Sequence, residues 1–348
     1  MPADPYSSEA AVRAMELALD QFQLADEVGF DWVTMAEHHF APFSVTPNPM
    51  IMAGAVSQRV RQAKIALLGP TIPILNPVRV AEELSMVDNL SHGRLVAGML
   101  RGTVNEYTTY NVNPAESRER FAESLALIRA AWTEPQPFGW QGRYYQFRGI
   151  SIWPRPIQQP HPPIFMSGSS PEAGEFAAQN HLKLGFAVTT VPLAREAARH
   201  YRAKAAEAGW EPQPDDILYR VAAYVTETDE EAMEALGQGP GGGGGLVLAN
   251  PALEAAVARS GYYGRDEEAQ RGRVRRRPLE ERIELGALVA GSPETVLGQI
   301  RSIHRELGAG IIEVVIGAGP APPDEARKRS LRAIELFGTK VVPGLREL

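Results

Sequence analysis

Short apolar segments alternate with amphipathic helical segments along most of the chain, and this alternation constrains the fold more than any other feature. The apolar segments are nearly unbroken runs, such as KIALLG at 64–69 and GIIEVVIG at 310–317. Strands that alternate with helices pair in parallel, and strands without polar alternation are buried on both faces. The sequence therefore predicts an α/β fold built on a parallel sheet with both faces covered.

The alternation predicts seven strands and therefore most of a (β/α)8 TIM barrel. Such barrels often exceed about 250 residues as single domains, so we expect one barrel domain over residues 1–348. The first strand is apparently missing, because a helix is predicted at 8–28 where such a barrel would open on a strand. Either the true start of translation lies upstream, or the barrel closes in another way. The predicted strands lie at 30–36, 64–69, 94–99, 163–168, 184–188, 217–225 and 310–317.

Two segments interrupt the alternation. Residues 134–162 carry aromatic residues in alternating order between turn residues, which predicts an inserted β-hairpin. Residues 238–282 contain the run QGPGGGGG, and a loop of this length inside a compact domain is usually a lid or disordered. The glycine run lacks the Lys-Ser/Thr pair of a phosphate loop. We therefore interpret 238–282 as a lid or a disordered insertion.

Composition excludes several classes of function. The net charge is -7, and the basic tract at 271–277 lacks interleaved aromatic residues, so no nucleic-acid partner is expected. The absence of cysteine excludes disulfides, iron-sulfur clusters and thiol nucleophiles, so redox chemistry would have to come from a cofactor. The N-terminus resembles neither a signal peptide nor a membrane span, and we expect a cytoplasmic protein.

Polar residues cluster at the predicted carboxyl ends of the strands, where parallel α/β barrels carry their catalytic groups. The first cluster is Glu37-His38-His39-Phe40, directly after the strand that ends at Ala36. Neighbouring histidines in a loop point apart and lack the i,i+4 spacing of a zinc helix, so no metal site is expected. One imidazole here could act as a base, a hydrogen-bond donor or a proton shuttle. The two histidines could also simply cap the loop.

A second polar set suits a phosphate group. Arg101 follows a strand, with Asn105 and Glu106 soon after it, and Arg118 lies on the next helix. Guanidinium groups, hydroxyls and free amides at a helix N-terminus are the donors that bind a phosphate monoester. Taken alone, Arg118 would be an ordinary solvated residue. Only its placement together with Arg101 and the serines that open a helix after PIFMSG, Ser169 and Ser170, favours a phosphate site.

Several of these strings occur in an order that resembles the bacterial luciferase-like family of flavin-dependent monooxygenases. The similarity covers about 16–186 and 291–340, and implies a luciferase-like barrel. The strings are GFDWVTMAEHHF, NPVRVAEELSMVDNLSHGRLVAGMLRG, NPAESR, SGSSPE and GSPE.

The resemblance implies roles for individual residues. His38 matches the family histidine beside the flavin, which assists the reaction with dioxygen. Gly69, after Leu68, matches the place of a non-proline cis peptide under the flavin ring, and we expect both residues and Glu37 to contact the cofactor. The positions that hold the FMN phosphate in the family are matched by Arg101, Arg118, Ser169 and Ser170.

The function implied by the resemblance is a two-component monooxygenase. It would take reduced FMN from a separate flavin reductase and use dioxygen to oxidise a small hydrophobic substrate, such as an aldehyde, a ketone or a terpene. Two alternatives stay open. One is an oxidoreductase that transfers hydride with the deazaflavin F420, as some members do, and the other is a flavin-binding protein without turnover. The resemblance also implies a homodimer.

Overall fold

The computed structural model describes the chain in six stretches, which fall into two compact units. The first unit takes in the described parts of Met1–Leu19 and Asp31–Phe165, and the second takes in those of Asp20–Phe30, Met166–Gly245 and Arg265–Leu348. The described stretches are residues 7–39, 46–103, 106–107, 110–237, 277–317 and 323–348.

The regular elements alternate as the sequence predicts. The strands are β1 (Trp32–Met35), β2 (Lys64–Leu67), β3 (Leu95–Met99), β4 (Phe138–Gln141), β5 (Gln146–Ile150), β6 (Ile164–Ser167), β7 (Lys183–Phe186), β8 (Ile217–Val225), β9 (Leu288–Gly291) and β10 (Ile311–Ile316). The helices are α1 (Ser8–Glu27), α2 (Pro49–Val56), α3 (Pro77–Leu90), α4 (Ser117–Thr133), α5 (Pro171–Gln179), α6 (Val191–Glu207), α7 (Asp229–Gly237), α8 (Leu279–Glu284), α9 (Pro293–Leu307), α10 (Pro323–Leu336) and α11 (Val342–Leu345). None of the described helices is long and apolar enough to cross a membrane.

In the first unit, β1, β2 and β3 are parallel. Trp32 of β1 pairs with Lys64 of β2, and Ile65 of β2 pairs with Leu95 of β3. All five residues of β3 are buried. The unbroken apolar run predicted a strand covered on both faces, and the structure confirms this for β3.

Helices α2 and α3 begin with the same local arrangement. Asn48 and Asn76 each precede a proline, and each Asn side chain accepts hydrogen bonds from two backbone amides of the first turn. Proline at the first helical position has no amide hydrogen to satisfy, and the Asn side chain satisfies those that follow. The two Asn-Pro steps therefore fix where these helices start.

The segment 134–162, where the sequence predicts a hairpin, contains β4 and β5, which pair antiparallel. Glu123 of α4 holds the turn between them. Its carboxylate accepts hydrogen bonds from the backbone amides of Tyr144 and Tyr145, both at 2.9 Å, and from the indole nitrogen of Trp140 at 3.2 Å. Glu119 of α4 also accepts a hydrogen bond from the hydroxyl of Tyr144, so two carboxylates of α4 hold the hairpin turn.

In the second unit, β7, β9 and β10 all pair with β8 in parallel. β7 pairs with the start of β8, where Leu184 faces Ile217, and β9 pairs with its end, where Gly291 faces Val225. β10 pairs with the central part of β8. The sequence analysis missed β9, because its apolar run follows the end of α8 after only three residues and so merges with the helical pattern before it.

The strands belong to one sheet in the order β1-β2-β3-β6-β7-β8-β10, with β9 paired to β8. β6 starts in the first unit and ends in the second. All seven predicted strands are present, and their order confirms the predicted α/β class with a TIM-type barrel sheet. The first described element is a helix, α1. Most of the predicted insertion at 238–282 lies outside the described residues, and α8 begins within its last part.

Candidate active site

The carboxyl ends of β1, β2 and β3 carry three short segments of the first unit. They are 36–39 after β1, 68–71 after β2 and 100–103 after β3. Because neighbouring parallel strands end at the same edge of a sheet, these segments share one edge. This is the edge at which the sequence predicted catalytic groups.

Glycine allows the backbones of these segments to approach one another closely. A Cβ on Gly69 would lie 2.3 Å from the backbone nitrogen of Glu37, and a Cβ on Gly102 would lie 2.4 Å from Cγ2 of Thr71. Gly102 also has a φ of 81°, in the left-handed region that favours glycine. Thr71 and Leu100 form a parallel bridge between the second and third segments. The three segments therefore pack into one continuous edge.

His38 lies against a buried carboxylate that follows β3. Its Nδ1 is 3.2 Å from Oε1 of Glu106, which is 68 residues away in the sequence. The Glu106 side chain is fully buried, whereas the His38 side chain is 26% exposed. One nitrogen of the imidazole is thus bound by the protein while part of the ring remains accessible.

Thr103 holds the other carboxylate oxygen of Glu106. Oε2 of Glu106 accepts hydrogen bonds from the backbone amide and the hydroxyl of Thr103, both at 2.5 Å. Burial raises the pKa of Glu106, but the hydrogen bonds from His38 and Thr103 outweigh burial and hold this pKa below its ordinary value. Glu106 is therefore a buried carboxylate that is ionised at neutral pH.

His39 has a carboxylate partner of its own. Its Nε2 is 3.1 Å from Oε1 of Glu37, and both side chains are buried. The Thr71 amide donates to Oε2 of Glu37 at 3.4 Å, and the rings of His39 and Tyr110 meet edge to face. Burial, and then the charge of Glu37, raise the pKa of Tyr110. The His39–Glu37 pair is thus buried, whereas Tyr110 beside it is 44% exposed.

The two adjacent histidines bind different carboxylates, as expected for neighbours in a loop. His38 pairs with Glu106 and His39 pairs with Glu37. Within the described stretches, no group of three or more His, Cys, Asp or Glu side chains is arranged to hold a metal ion. The arrangement instead separates a partly accessible imidazole from a buried one.

The expected cis peptide between Leu68 and Gly69 is wrong. Every cis bond in the described chain precedes a proline, at Pro137, Pro154 and Pro160. A cis bond without proline costs about 3 kcal/mol. The trans chain already brings Gly69 against Glu37, so close packing, not a cis bond, accounts for the glycine.

Arg101 and Arg118, two of the predicted phosphate ligands, lie in the first unit. Arg101 follows β3, and its carbonyl accepts a 2.6 Å hydrogen bond from the hydroxyl of Tyr107, which is 1% exposed. Arg118 is the second residue of α4 and is exposed to solvent. Both guanidinium groups therefore belong to the unit that carries His38.

The other two predicted phosphate ligands, Ser169 and Ser170, lie in the second unit after β6. Ser170 is the N-cap of α5, and its hydroxyl accepts a hydrogen bond from the amide of Ala173 at 3.3 Å. Pro171 occupies the first turn of the helix. The helix start predicted after PIFMSG is confirmed.

The second unit also contains a cavity of about 550 Å³ at the carboxyl ends of β8 and β10. Charged side chains of α7 and α10 form much of its wall, and some of them are paired with each other. Arg329 binds Glu325 at 3.0 Å, and Arg332 binds Glu227. The wall therefore combines charged side chains with apolar ones.

The sequence analysis placed Glu106 among the polar residues after β3 but did not identify it as a site residue. Its only signal was a carboxylate near a strand end. Thr103 and Thr71 carried no signal, since a threonine in a loop is ordinary and its contacts depend on how loops meet. Phe40 and Asn105, also named from the sequence, lie outside the described residues.

The chain matches a family model and several characterised proteins. The model described as luciferase-like monooxygenase matches residues 2–310. The oxygenase component of the flavin-dependent trigonelline monooxygenase of Acinetobacter baylyi is 27% identical over 220 residues, which cover 61% of this chain and 60% of that protein. The chain spans 46% to 60% of the length of the first three curated relatives that it matches.

Three solved structures share the fold over nearly the whole chain. Monooxygenase RslO1 from Streptomyces bottropensis has a TM-score of 0.78 and 25% identity, covering 96% of this chain and 94% of that one. The oxygenating constituent of 3,6-diketocamphane monooxygenase from Pseudomonas putida, in complex with FMN, has a TM-score of 0.76 and 20% identity, covering 98% and 95%. An F420-dependent secondary alcohol dehydrogenase has a TM-score of 0.71 and 17% identity, covering 95% of each chain. The last two likenesses show the fold alone.

Proposed function

The chain belongs to the luciferase-like monooxygenase family, and from this membership we propose that it is a flavin-dependent monooxygenase. In this proposal it uses reduced FMN and dioxygen to oxidise a small hydrophobic substrate, such as an aldehyde, a ketone or a terpene-like molecule. A separate flavin reductase supplies the reduced FMN. The trigonelline relative, which is named as an oxygenase component, supports this division into two proteins.

The observation that carries the proposal is the imidazole of His38, which is partly exposed after β1 and lies 3.2 Å from the buried carboxylate of Glu106. An imidazole held in this way can hold or move a proton near neutral pH. The neighbouring pair of His39 and Glu37 is buried, so water is excluded from that pair. Reduced flavin, when bound, supplies the electrons that activate dioxygen.

The chemistry of the donor groups fits the phosphate of FMN. Arg118 presents an exposed guanidinium in the first turn of α4, and Ser170 stands at the N-terminus of α5. Guanidinium groups and the amides of a helix N-terminus both bind phosphate. We therefore assign the FMN phosphate to Arg101, Arg118, Ser169 and Ser170. We assign contacts with the rest of the flavin to Glu37, Leu68 and Gly69.

We also propose that the protein forms a homodimer. Ile51 of α2 is 75% exposed, and Met86 and Leu90 of α3 are 52% and 43% exposed. Large apolar side chains on neighbouring helices support a surface that associates with another protein chain. Sedimentation velocity measurements that give the mass of a monomer at micromolar concentration would contradict this part of the proposal.

The test of the proposed activity follows oxygen atoms. The purified chain is mixed anaerobically with reduced FMN, and 18O2 is then admitted with a panel of aldehydes, ketones and terpenes. We expect one labelled oxygen atom in the product, which mass spectrometry detects. A His38→Ala variant should bind FMN normally. It should form product at least about 10²-fold more slowly, because general acid or base catalysis contributes at least this factor.

Two other outcomes would contradict the proposal. Reduction of F420 by an alcohol, without use of oxygen, would assign hydride transfer to the site. Tight binding of FMN without any substrate-dependent use of oxygen would make the chain a flavin-binding protein without turnover. Full product formation by His38→Ala would show that His38 has no role in the reaction.

A further inference from the structure

We propose that Glu106 is the positioning residue of His38. It fixes the neutral imidazole in the tautomer that carries its hydrogen on Nδ1, so that Nε2 is the acceptor nitrogen of the ring. The part that Nε2 plays in catalysis rests on the proposed function. The tautomer itself follows from the contacts of the protein.

The chemistry of the pair defines the tautomer. An ionised carboxylate has only acceptor oxygens, so the atom that faces it must be a donor. Nδ1 of His38 faces Oε1 of Glu106 at 3.2 Å. A neutral imidazole has one N–H group, and if Nδ1 carries it, Nε2 has none. The side of the ring away from Glu106 is therefore an acceptor.

Glu106 cannot easily turn away from His38. Its Oε2 accepts hydrogen bonds from both the amide and the hydroxyl of Thr103, and its side chain is fully buried. The next residue, Tyr107, is also anchored, because its hydroxyl donates to the carbonyl of Arg101. The carboxylate is therefore fixed by contacts that do not involve His38, and it imposes the orientation of the ring.

The backbone at His38 is held as well. The backbone amide of His38 donates to the carbonyl of Thr46 at 3.4 Å, and the hydroxyl of Thr46 donates to the carbonyl of Ala36 at 2.8 Å. Both ends of the His38–Glu106 contact are thus held by other parts of the first unit.

Glu37 and His39 form a second pair at this edge. One carboxylate oxygen of Glu37 is hydrogen-bonded to His39, and the other accepts a hydrogen bond from the amide of Thr71. Tyr110 lies against the ring of His39. Each histidine therefore has its own carboxylate, and a change in one pair can be compared with the other pair in the same molecule.

A fixed tautomer has a direct chemical consequence. A general base must present a lone pair, and a carboxylate on the far nitrogen both orients the ring and stabilises it once it is protonated. His38 would accept a proton on Nε2 while Nδ1 stays bonded to Glu106. Glu106 touches none of the reacting atoms in this scheme and acts only through His38.

Nitrogen NMR of the ligand-free chain tests the proposal. The chain is labelled with 15N in histidine and measured at about pH 9, above the ordinary histidine pKa of about 6.5, so that neutral rings are observed. Long-range 1H–15N spectra distinguish the two tautomers, and a His38→Asn variant identifies the His38 signals. We expect His38 as the Nδ1–H tautomer. A His38 ring that is mainly Nε2–H would overturn the proposal.

Glu106→Gln makes a sharper prediction. The amide of Thr103 can only donate, so the new side chain must turn its oxygen toward Thr103 and its NH2 group toward His38. Nδ1 must then accept, and His38 should switch to the Nε2–H tautomer. Glu37→Gln is the matched control, which should change the His39 signals and leave the His38 tautomer as it is. A folded Glu106→Gln chain without a switch would overturn the proposal, and if this variant does not fold, the wild-type tautomer decides.

Activity separates this inference from the proposed function. With FMN and an accepted substrate, Glu106→Gln should lower kcat about 10²-fold while the Kd for FMN stays within about twofold. The tautomer is read without FMN, so the two ideas fail separately. A chain that has the Nδ1–H tautomer but never incorporates labelled oxygen contradicts the proposed function alone. An unchanged kcat in a variant whose tautomer has switched overturns the positioning role.

Discussion

The backbone nitrogen of Glu37 lies where the side chain of Gly69 would begin, since a Cβ on Gly69 would be 2.3 Å away. Real Cβ atoms essentially never approach another heavy atom so closely. Glu37 binds His39 and directly precedes His38. The close contact therefore couples the packing of the segment after β2 to the position of both histidines.

Gly69→Ala should destabilise the protein and displace the loop that carries His38. The clash is with backbone atoms, which cannot rotate away, so overpacking is expected to cost about 1–3 kcal/mol. Urea unfolding measures the change in the free energy of unfolding. Gly54→Ala is the control, because a Cβ on Gly54 in helix α2 would meet nothing within 4 Å. It should leave stability unchanged or raise it by about 0.4–1 kcal/mol, and equal losses in both variants would contradict the prediction.

Asp88→Ala should be among the most destabilising single changes in the first unit. The Asp88 carboxylate is fully buried and accepts hydrogen bonds from the amides of Ile157 and Gln158 at 2.7 and 3.0 Å. Each of these part-buried donors, left without its acceptor, costs up to about 1–3 kcal/mol. We expect a loss of about 3–5 kcal/mol in urea unfolding. Glu83→Ala on the same helix breaks only a pair with the largely exposed Arg79 and should cost less than about 1 kcal/mol.

The attachment of the β4–β5 hairpin should weaken in acid. Burial raises the pKa of Glu123, but the amides of Tyr144 and Tyr145 outweigh burial and lower this pKa below its ordinary value of 4.5. A lowered pKa in the folded state stabilises the protein above the ordinary value, and this contribution is lost as the pH falls through the folded-state value. Hydrogen exchange of the two tyrosine amides, corrected for intrinsic rates, should show falling protection below about pH 4.5.

Glu123→Gln is the control for that measurement. The variant cannot ionise at this position, so the protection of the Tyr144 and Tyr145 amides should be lower at neutral pH and nearly independent of pH. An identical acid response in the variant and the wild type would show that another group, or global unfolding, causes the loss.

Arg118→Ala should weaken binding of FMN and leave binding of riboflavin unchanged. Riboflavin lacks the phosphate that we assign to Arg118. A hydrogen bond to a charged group contributes about 1.5–3 kcal/mol, which corresponds to a rise of about 10- to 100-fold in the Kd for FMN. Flavin fluorescence titration measures both ligands. Arg79→Ala, which changes an exposed arginine on α3, is the control. An equal loss of affinity for FMN and riboflavin would show that Arg118 does not contact the phosphate.

Many elements of the fold could be predicted because their signals are local. The run KIALLG is apolar over consecutive residues, and this alone predicts a buried strand, which is β2 in the structure. The rule that catalytic groups follow the strands of a parallel barrel then placed His38 and Arg101 at one edge of the sheet, but it gave no distance between them. β9 was missed because its apolar residues, LVAG, begin only three residues after the end of helix α8 and could not be distinguished from a continuation of that helix.

The sequence by itself therefore determined the α/β class, the seven strands and the histidine that the site is built around. The tertiary structure alone decided that His38 meets Glu106 and that Gly69 packs against Glu37 in a trans chain. The physical reason is distance along the chain. The side-chain period of a strand (two residues) or a helix (3.6 residues) can be seen in neighbouring residues of the sequence. A contact across 68 residues depends instead on the register of three strands and on the paths of the loops that follow them.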